Sequence, residues 1–241
     1  MSLLIHKAME LRFGGLLKSS LIDYPGMVSC VLFVQGCNFR CPFCHNPELV
    51  LPELFTPALD NKSVINFLRE RRGFLDAVVI TGGEPTLQAG LFDFCQRIRE
   101  LGYSIKLDTN GSRPRVIEEL LKAEVIDYVA MDVKSIPSNY SFFTPDNSIS
   151  DLVKRSMQII MEYSPGYEFR TTCVRPMVSE SIIEDIAKTI RNAQLYALQH
   201  FKAEKVLRPE FFEDRYTGFT NKEMEQLRAI AKPWVKRCII R

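Results

Sequence analysis

The chain has little of several things that would narrow its role. Its charges nearly cancel: 31 Lys and Arg against 29 Asp and Glu leave a net charge of +2 at pH 7. That excess is too small to argue for nucleic acid or a membrane surface as partner. No apolar run approaches the length of a membrane span. Residues 1–10 carry His6, Lys7 and Glu10 where a secretory leader would need a sustained apolar stretch, and His6 reads as a surface residue. Internal repeats and low-complexity linkers are missing too. The seven cysteines are an odd number with no evident pairing, so a reducing compartment is expected, with the cytoplasm as default. What remains is ordinary for a soluble globular chain: 241 residues, 46% hydrophobic and 25% charged. A chain of that length buries roughly seventy per cent of its unfolded surface without disulfide staples. One domain over 1–241 is expected, with a lead-in over 1–27, a barrel over about 28–201 and a C-terminal extension over about 202–241.

Strand and helix patterns alternate after the lead-in, which ends on the turn signal Pro25-Gly26. Apolar runs at 28–34, 76–81, 103–109, 125–133, 167–174 and 195–201 predict six strands. Helical spacing predicts helices over 61–71, 88–101, 114–122, 151–163, 179–192 and 222–231. The stretch 138–147, rich in Ser, Pro and Asn, reads as a loop, and 234–240 as a final apolar segment. This alternation predicts an α/β fold with a parallel sheet, a partial (β/α)6 TIM-type barrel with a short C-terminal extension. In such sheets ligands gather at the carboxyl ends of the strands.

Three thiols stand at the end of the first predicted strand: Cys37-Asn-Phe-Arg-Cys41-Pro-Phe-Cys44, spaced C-x3-C-x2-C. Thiolates are soft donors, and a short loop can aim all three at one metal centre. Zinc stays open if His45 or a distant cysteine supplies a fourth ligand, although the second CxxC or HxxxH half of a zinc site is missing. A Cys41-x-x-Cys44 redox pair would leave Cys37 without a role. Unrelated buried thiols would scatter with the core pattern, as Cys30, Cys95, Cys173 and Cys238 do on their apolar segments. Three thiolates on a four-iron cluster would leave one iron open to another ligand.

Polar residues close the other predicted strands. Gly82-Gly83-Glu84-Pro85 follows the second, where two glycines let a ligand approach the main chain and Glu84 could accept a bond from an ammonium. Read alone, it is also a plain Gly-Gly turn. Asp108-Thr109-Asn110-Gly111 follows the third, and could be only an Asn-Gly turn. Asp132 and Lys134 follow the fourth and could be only an ion pair. Polar tips inside a barrel need partners, however, and a zwitterionic ligand bearing a ribose would supply them. Arg170, Arg175, Gln199 and His200 are further candidates for the lining.

The cysteine spacing, with an aromatic residue before the third Cys, resembles the signature of the radical S-adenosylmethionine (SAM) enzymes. Leu21-Ile-Asp-Tyr-Pro-Gly26, His45-Asn-Pro47, Gly82-Gly-Glu-Pro85, Asp108-Thr-Asn-Gly111 and Met131-Asp-Val-Lys134 resemble the glycyl-radical-enzyme activases within that superfamily. Those acting on anaerobic ribonucleoside-triphosphate reductase are the most similar, and pyruvate formate-lyase activases share much of the pattern. Only about thirty residues, none of them cysteine, separate Cys44 from the second strand, so the cysteine-rich module of some activases is not expected.

The resemblance implies an oxidoreductase in which Cys37, Cys41 and Cys44 hold a [4Fe–4S] cluster. Gly82, Gly83, Glu84, Asp108, Thr109, Asn110, Asp132 and Lys134 would hold SAM, with a cation beside Asp108, Thr109 and Asp132. One electron from a flavodoxin or ferredoxin would cleave SAM, and the 5′-deoxyadenosyl radical would abstract hydrogen from a glycine of the partner. The segment 237–241 has no glycine, so that glycine is expected on another protein. A radical SAM enzyme acting on a small molecule is the alternative.

Overall fold

The computed structural model describes residues 11–212 and 217–241; His6 lies outside them. Among the described residues eight strands form one sheet in sequence order. β1 (Phe13–Ser20) pairs antiparallel with β2 (Ser29–Val34). The others continue in parallel: β3 (Ala77–Gly82), β4 (Ser104–Thr109), β5 (Tyr128–Asp132), β6 (Gly166–Cys173), β7 (Tyr196–His200) and β8 (Cys238–Ile240). Helices α1 (Pro47–Val50), α2 (Asn61–Glu70), α3 (Leu91–Glu100), α4 (Pro114–Lys122), α5 (Ile149–Tyr163), α6 (Glu180–Thr189) and α7 (Asn221–Ala231) fill the crossovers. Among the described residues no helix is long and apolar enough to cross a membrane.

The six expected strands are present as β2 to β7, and the partial barrel stands. Two further strands flank these six. β1 lies in the lead-in, where Gly14-Gly15 and Lys18 interrupt the apolar alternation and the register is irregular. β8 is three residues of the final apolar segment, too short to register as a period. The expected loop at 138–147 contains a 3-10 turn, Pro137–Phe142, whose Tyr140 is buried.

The period of two along each strand separates two interiors. Cys30, Leu32 and Val34 of β2, Val78 and Ile80 of β3, and Ile105 and Leu107 of β4 pack under the helices in the main core. Each fully buried aliphatic side chain there contributes about 1.5–3 kcal/mol. Cys30, Cys95, Cys173 and Cys238 are buried free thiols of this layer, as their patterning predicts. The opposite face looks into the barrel. On β2 and β3 it is apolar, with Val31, Ala77 and Val79 packed against Tyr24. On β4 to β6 the alternation with Ile105 and Leu107 puts Lys106 and Asp108 on that face, and Glu168 and Arg170 alternate likewise. Glu168 is 1% exposed and takes both guanidinium nitrogens of Arg241, each at 2.8 Å. Charge is therefore built into the barrel interior.

Helix ends follow their sequence signals. Asp60 caps α2 by accepting from Ser63 N at 2.8 Å. Thr220 and Glu223 form a reciprocal capping box at α7.

Candidate active site

A cavity of about 260 Å³ opens at the carboxyl ends of the parallel strands. Ten of the eleven candidate residues line it: Cys37, Cys41, Cys44, Gly82, Gly83, Asp108, Thr109, Asn110, Asp132 and Lys134. Arg170 and Gln199 line it as well. Arg175 does not; it pairs with Glu223 at 2.7 Å and stacks on Phe219 at 3.7 Å, in a groove beside α6 and α7. His200 is also absent from the lining.

Backbone contacts fix the start of the cysteine loop between α1 and the tip of β3. Gly36 N donates to Leu49 O at 2.7 Å, and Gly36 O accepts from Glu84 N at 2.8 Å. The two glycines after β3 make this approach possible. Gly82 has φ +117°, in the region that favours glycine. A Cβ on Gly83 would lie 2.1 Å from Gly36 O. The side of Gly83 that lacks a side chain therefore faces the cysteine loop, and its smallness is required by the protein before any ligand arrives.

Glu84 also departs from expectation. It is fully buried and does not line the cavity. Its Oε1 accepts from Thr86 N at 3.0 Å, Thr86 Oγ1 at 2.5 Å and Thr109 Oγ1 at 2.8 Å; its Oε2 accepts from Asn110 N at 2.6 Å. Burial pushes the carboxyl above its ordinary value, and these four donors hold that rise in check. With both oxygens engaged, the carboxylate ties the tip of β3 to the tip of β4. Any ammonium in the cavity would meet the main chain of Gly82 and Gly83 instead.

Asn110 carries the link onward, its Nδ2 donating to Asn38 Oδ1 at 3.0 Å and to Cys37 Sγ at 3.8 Å. Phe39 N also donates to that sulfur, at 3.4 Å. Burial raises all three thiols, Cys37 to about 11 and Cys41 to about 12, while the Lys134 ammonium pulls the other way. N–H donors and an ammonium beside sulfur suit thiolates bound to metal. Among the described residues no three His, Cys, Asp or Glu side chains gather tightly enough for a single ion. Three thiols sharing one cavity suit separate irons of one cluster. His45 Nε2 is 2.7 Å from Lys202 O and its ring stacks on Phe201, which leaves the zinc alternative without that ring nitrogen. The cysteine set and its surroundings fit a [4Fe–4S] cluster.

Opposite the cysteines runs a chain of alternating charges. Lys106 Nζ is 2.6 Å from Asp108 Oδ1, and Arg170 Nη1 is 3.1 Å from Asp108 Oδ2. Arg170 Nε is 2.8 Å from Asp132 Oδ1, and Lys134 Nζ is 2.9 Å from Asp132 Oδ2. Burial alone would raise both aspartates, but Arg170 with Lys106 holds Asp108 below the ordinary value, and Arg170 with Lys134 does the same for Asp132. Burial opposes the charge of Lys134, yet Asp132 and the neighbouring thiols keep it firmly protonated. Lys106 and Thr172 were missed from sequence. The alternation was the available signal, since each lies two residues from a recognised partner on the same strand, Asp108 and Arg170.

The family model for the Radical SAM superfamily matches residues 31–191. The chain belongs to this superfamily, and it is an enzyme that uses a [4Fe–4S] cluster and SAM. Within the superfamily it falls with relatives named for glycyl-radical-enzyme activation. A Methanocaldococcus jannaschii protein, named "putative glycyl-radical enzyme activating enzyme", is 36% identical over 239 residues, covering 97% of each chain. The pyruvate formate-lyase-activating enzyme of Clostridium pasteurianum is 35% identical over 126 residues, 48% of this chain and 49% of that one. The crystal structure of Streptococcus suis SuiB superposes with a TM-score of 0.61 at 16% identity. That match covers 86% of this chain and 47% of SuiB, so the chain spans about half of SuiB's length, and the likeness is one of fold.

Proposed function

We propose that this protein is a radical SAM activating enzyme that installs a glycyl radical on a partner, and that the partner is an anaerobic ribonucleoside-triphosphate reductase. One observation carries the reading: the C-x3-C-x2-C thiols and the polar tips of β3, β4 and β5 line a single cavity. The relative matched over 97% of both chains supports the activating role. In this reading Cys37, Cys41 and Cys44 each hold one iron. The main chain of Gly82 and Gly83 receives the SAM ammonium, while Asp108, Thr109, Asn110, Asp132 and Lys134 hold the rest of the molecule. Glu84 acts behind them, positioning the tips.

When bound, the cluster and SAM together supply reductive cleavage of SAM to a carbon radical that abstracts hydrogen, after one electron arrives from a flavodoxin- or ferredoxin-type donor. The chain's own residues prepare that step. Lys134 and Arg170 set positive charge where the methionine carboxylate belongs. Asn110 and the Phe39 amide donate toward Cys37 sulfur. Phe39, Phe43 and Val50 provide apolar wall that excludes water.

The partner assignment rests on the motif resemblance and on access. Among the described residues no pairing joins β1 to β8, so there the sheet is open on one side and a glycine-bearing loop can approach laterally. A pyruvate formate-lyase-type enzyme is the second choice. The test mixes this protein, SAM and a low-potential reductant without oxygen with each candidate partner. A glycyl-radical doublet in the reductase alone supports the proposal. Deoxyadenosine formed with a small metabolite, while neither partner gains a radical, overturns it.

A further inference from the structure

We propose that Lys106 supplies from within the chain the positive charge that a bound metal cation would otherwise bring to the methionine-carboxylate end of the cavity. SAM binding to this protein then needs no monovalent cation. The inference rests on reading the cavity as the SAM site.

The cation site that the resemblance implies at Asp108, Thr109 and Asp132 does not fit these side chains. A metal cation needs oxygen lone pairs that are free to face it. All four carboxylate oxygens already have cationic partners: Lys106 and Arg170 on Asp108, Arg170 and Lys134 on Asp132. Thr109 Oγ1 donates to Glu84 and accepts from Gly111 N at 3.1 Å. Among the described residues no three His, Cys, Asp or Glu side chains gather here for an ion.

The charges settle the direction. Three cations face two carboxylates along this chain, and Arg241 offsets Glu168, the further carboxylate near Arg170, leaving one positive charge in excess, which repels a metal ion and attracts a carboxylate. Arg170 bridges both aspartates, and Lys134 stands at the cysteine end, over Phe43 at 5.8 Å. Lys106 is the member that produces the excess. Its side chain is 3% exposed and does not line the cavity, so it acts through Asp108 as a positioning residue. Removing its ammonium would balance the charges and leave Asp108 Oδ1 free to coordinate an ion.

SAM affinity of the cluster-loaded protein, measured by anaerobic calorimetry, tests this at equal ionic strength in potassium, sodium or tetramethylammonium chloride. The wild type is expected to bind equally in all three. Lys106→Met should bind about tenfold more weakly or worse in tetramethylammonium, and recover in potassium or sodium. Lys106→Arg, which keeps the charge, should remain indifferent to the salt. A merely structural role for Lys106 would not create a cation requirement. Wild-type binding that tightens with potassium or sodium overturns the inference, as does a Lys106→Met variant that binds like wild type in every salt. If Lys106→Met does not fold, the wild-type and Lys106→Arg titrations decide. Wild-type protein that binds SAM in no salt overturns the reading of the cavity itself, a distinguishable failure.

Discussion

Alanine at Gly83 should cost the protein its cluster, beyond any effect on SAM. The added Cβ would sit 2.1 Å from Gly36 O, 2.7 Å from Gly36 C and 3.1 Å from Leu49 O. These are backbone atoms, so no side chain can swing aside. Ordinary contact begins near 3.4 Å, and reaching it requires a shift of roughly 1.3 Å in the segment that leads into Cys37. That shift breaks the bond from Glu84 N to Gly36 O and moves the first thiol relative to the other two. Overpacking of this kind costs about 1–3 kcal/mol, roughly 2–12 °C in melting temperature for a chain of this size. Iron and sulfide content after anaerobic reconstitution, measured with the apo-protein melting temperature, is the assay. Reduced iron with a lowered melting temperature is expected. A Gly83→Ala protein with full iron and an unchanged melting temperature, impaired only in binding SAM, would return this glycine to the role of ligand clearance.

Alanine at Cys37, Cys41 or Cys44 should each abolish cluster absorbance, while Cys95→Ala keeps it and loses about 1 kcal/mol of stability; an intact cluster in Cys41→Ala would contradict the assignment. Glu84→Gln places an amide NH2 among four hydrogen-bond donors and should lower stability by about 1–3 kcal/mol in urea; an unchanged midpoint would show that the carboxylate does not tie β3 to β4. Asp108 and Asp132 are both held below the ordinary carboxylate value, so their stabilisation is present above about pH 4 and is lost as pH falls through their lowered folded values. The wild type should lose stability on going to strongly acid pH, and Asp132→Asn should lose less; equal losses would contradict the charge chain.

The strand–helix alternation was legible because β2 to β7 and their helices keep clean periods. β1 was hidden by its glycines and β8 by its length. The cysteine loop and the strand tips were legible because chemistry-bearing residues close strand after strand at one end of the barrel. What sequence could not assign was direction. Glu84 sits in a motif beside the cavity, yet its carboxylate turns away to four donors from Thr86, Thr109 and Asn110. Gly83 reads as room for a ligand, whereas its open side faces Gly36. Lys106 stands between two apolar residues, Ile105 and Leu107, outside any motif, although the alternation places it on the same face as Asp108. In each case the missing information is which way the residue faces, and tertiary packing decides that.

In the proposed reaction, hydrogen leaves a partner's glycine and arrives on the 5′ carbon of the adenosyl group of SAM. The direct measurement uses anaerobic ribonucleotide reductase carrying deuterated glycine, incubated with this protein, SAM and a low-potential reductant in the absence of oxygen. One deuterium in the 5′-deoxyadenosine is expected, appearing in step with a glycyl-radical signal on the reductase. Deoxyadenosine formed without deuterium, or with no radical on the partner, would contradict it.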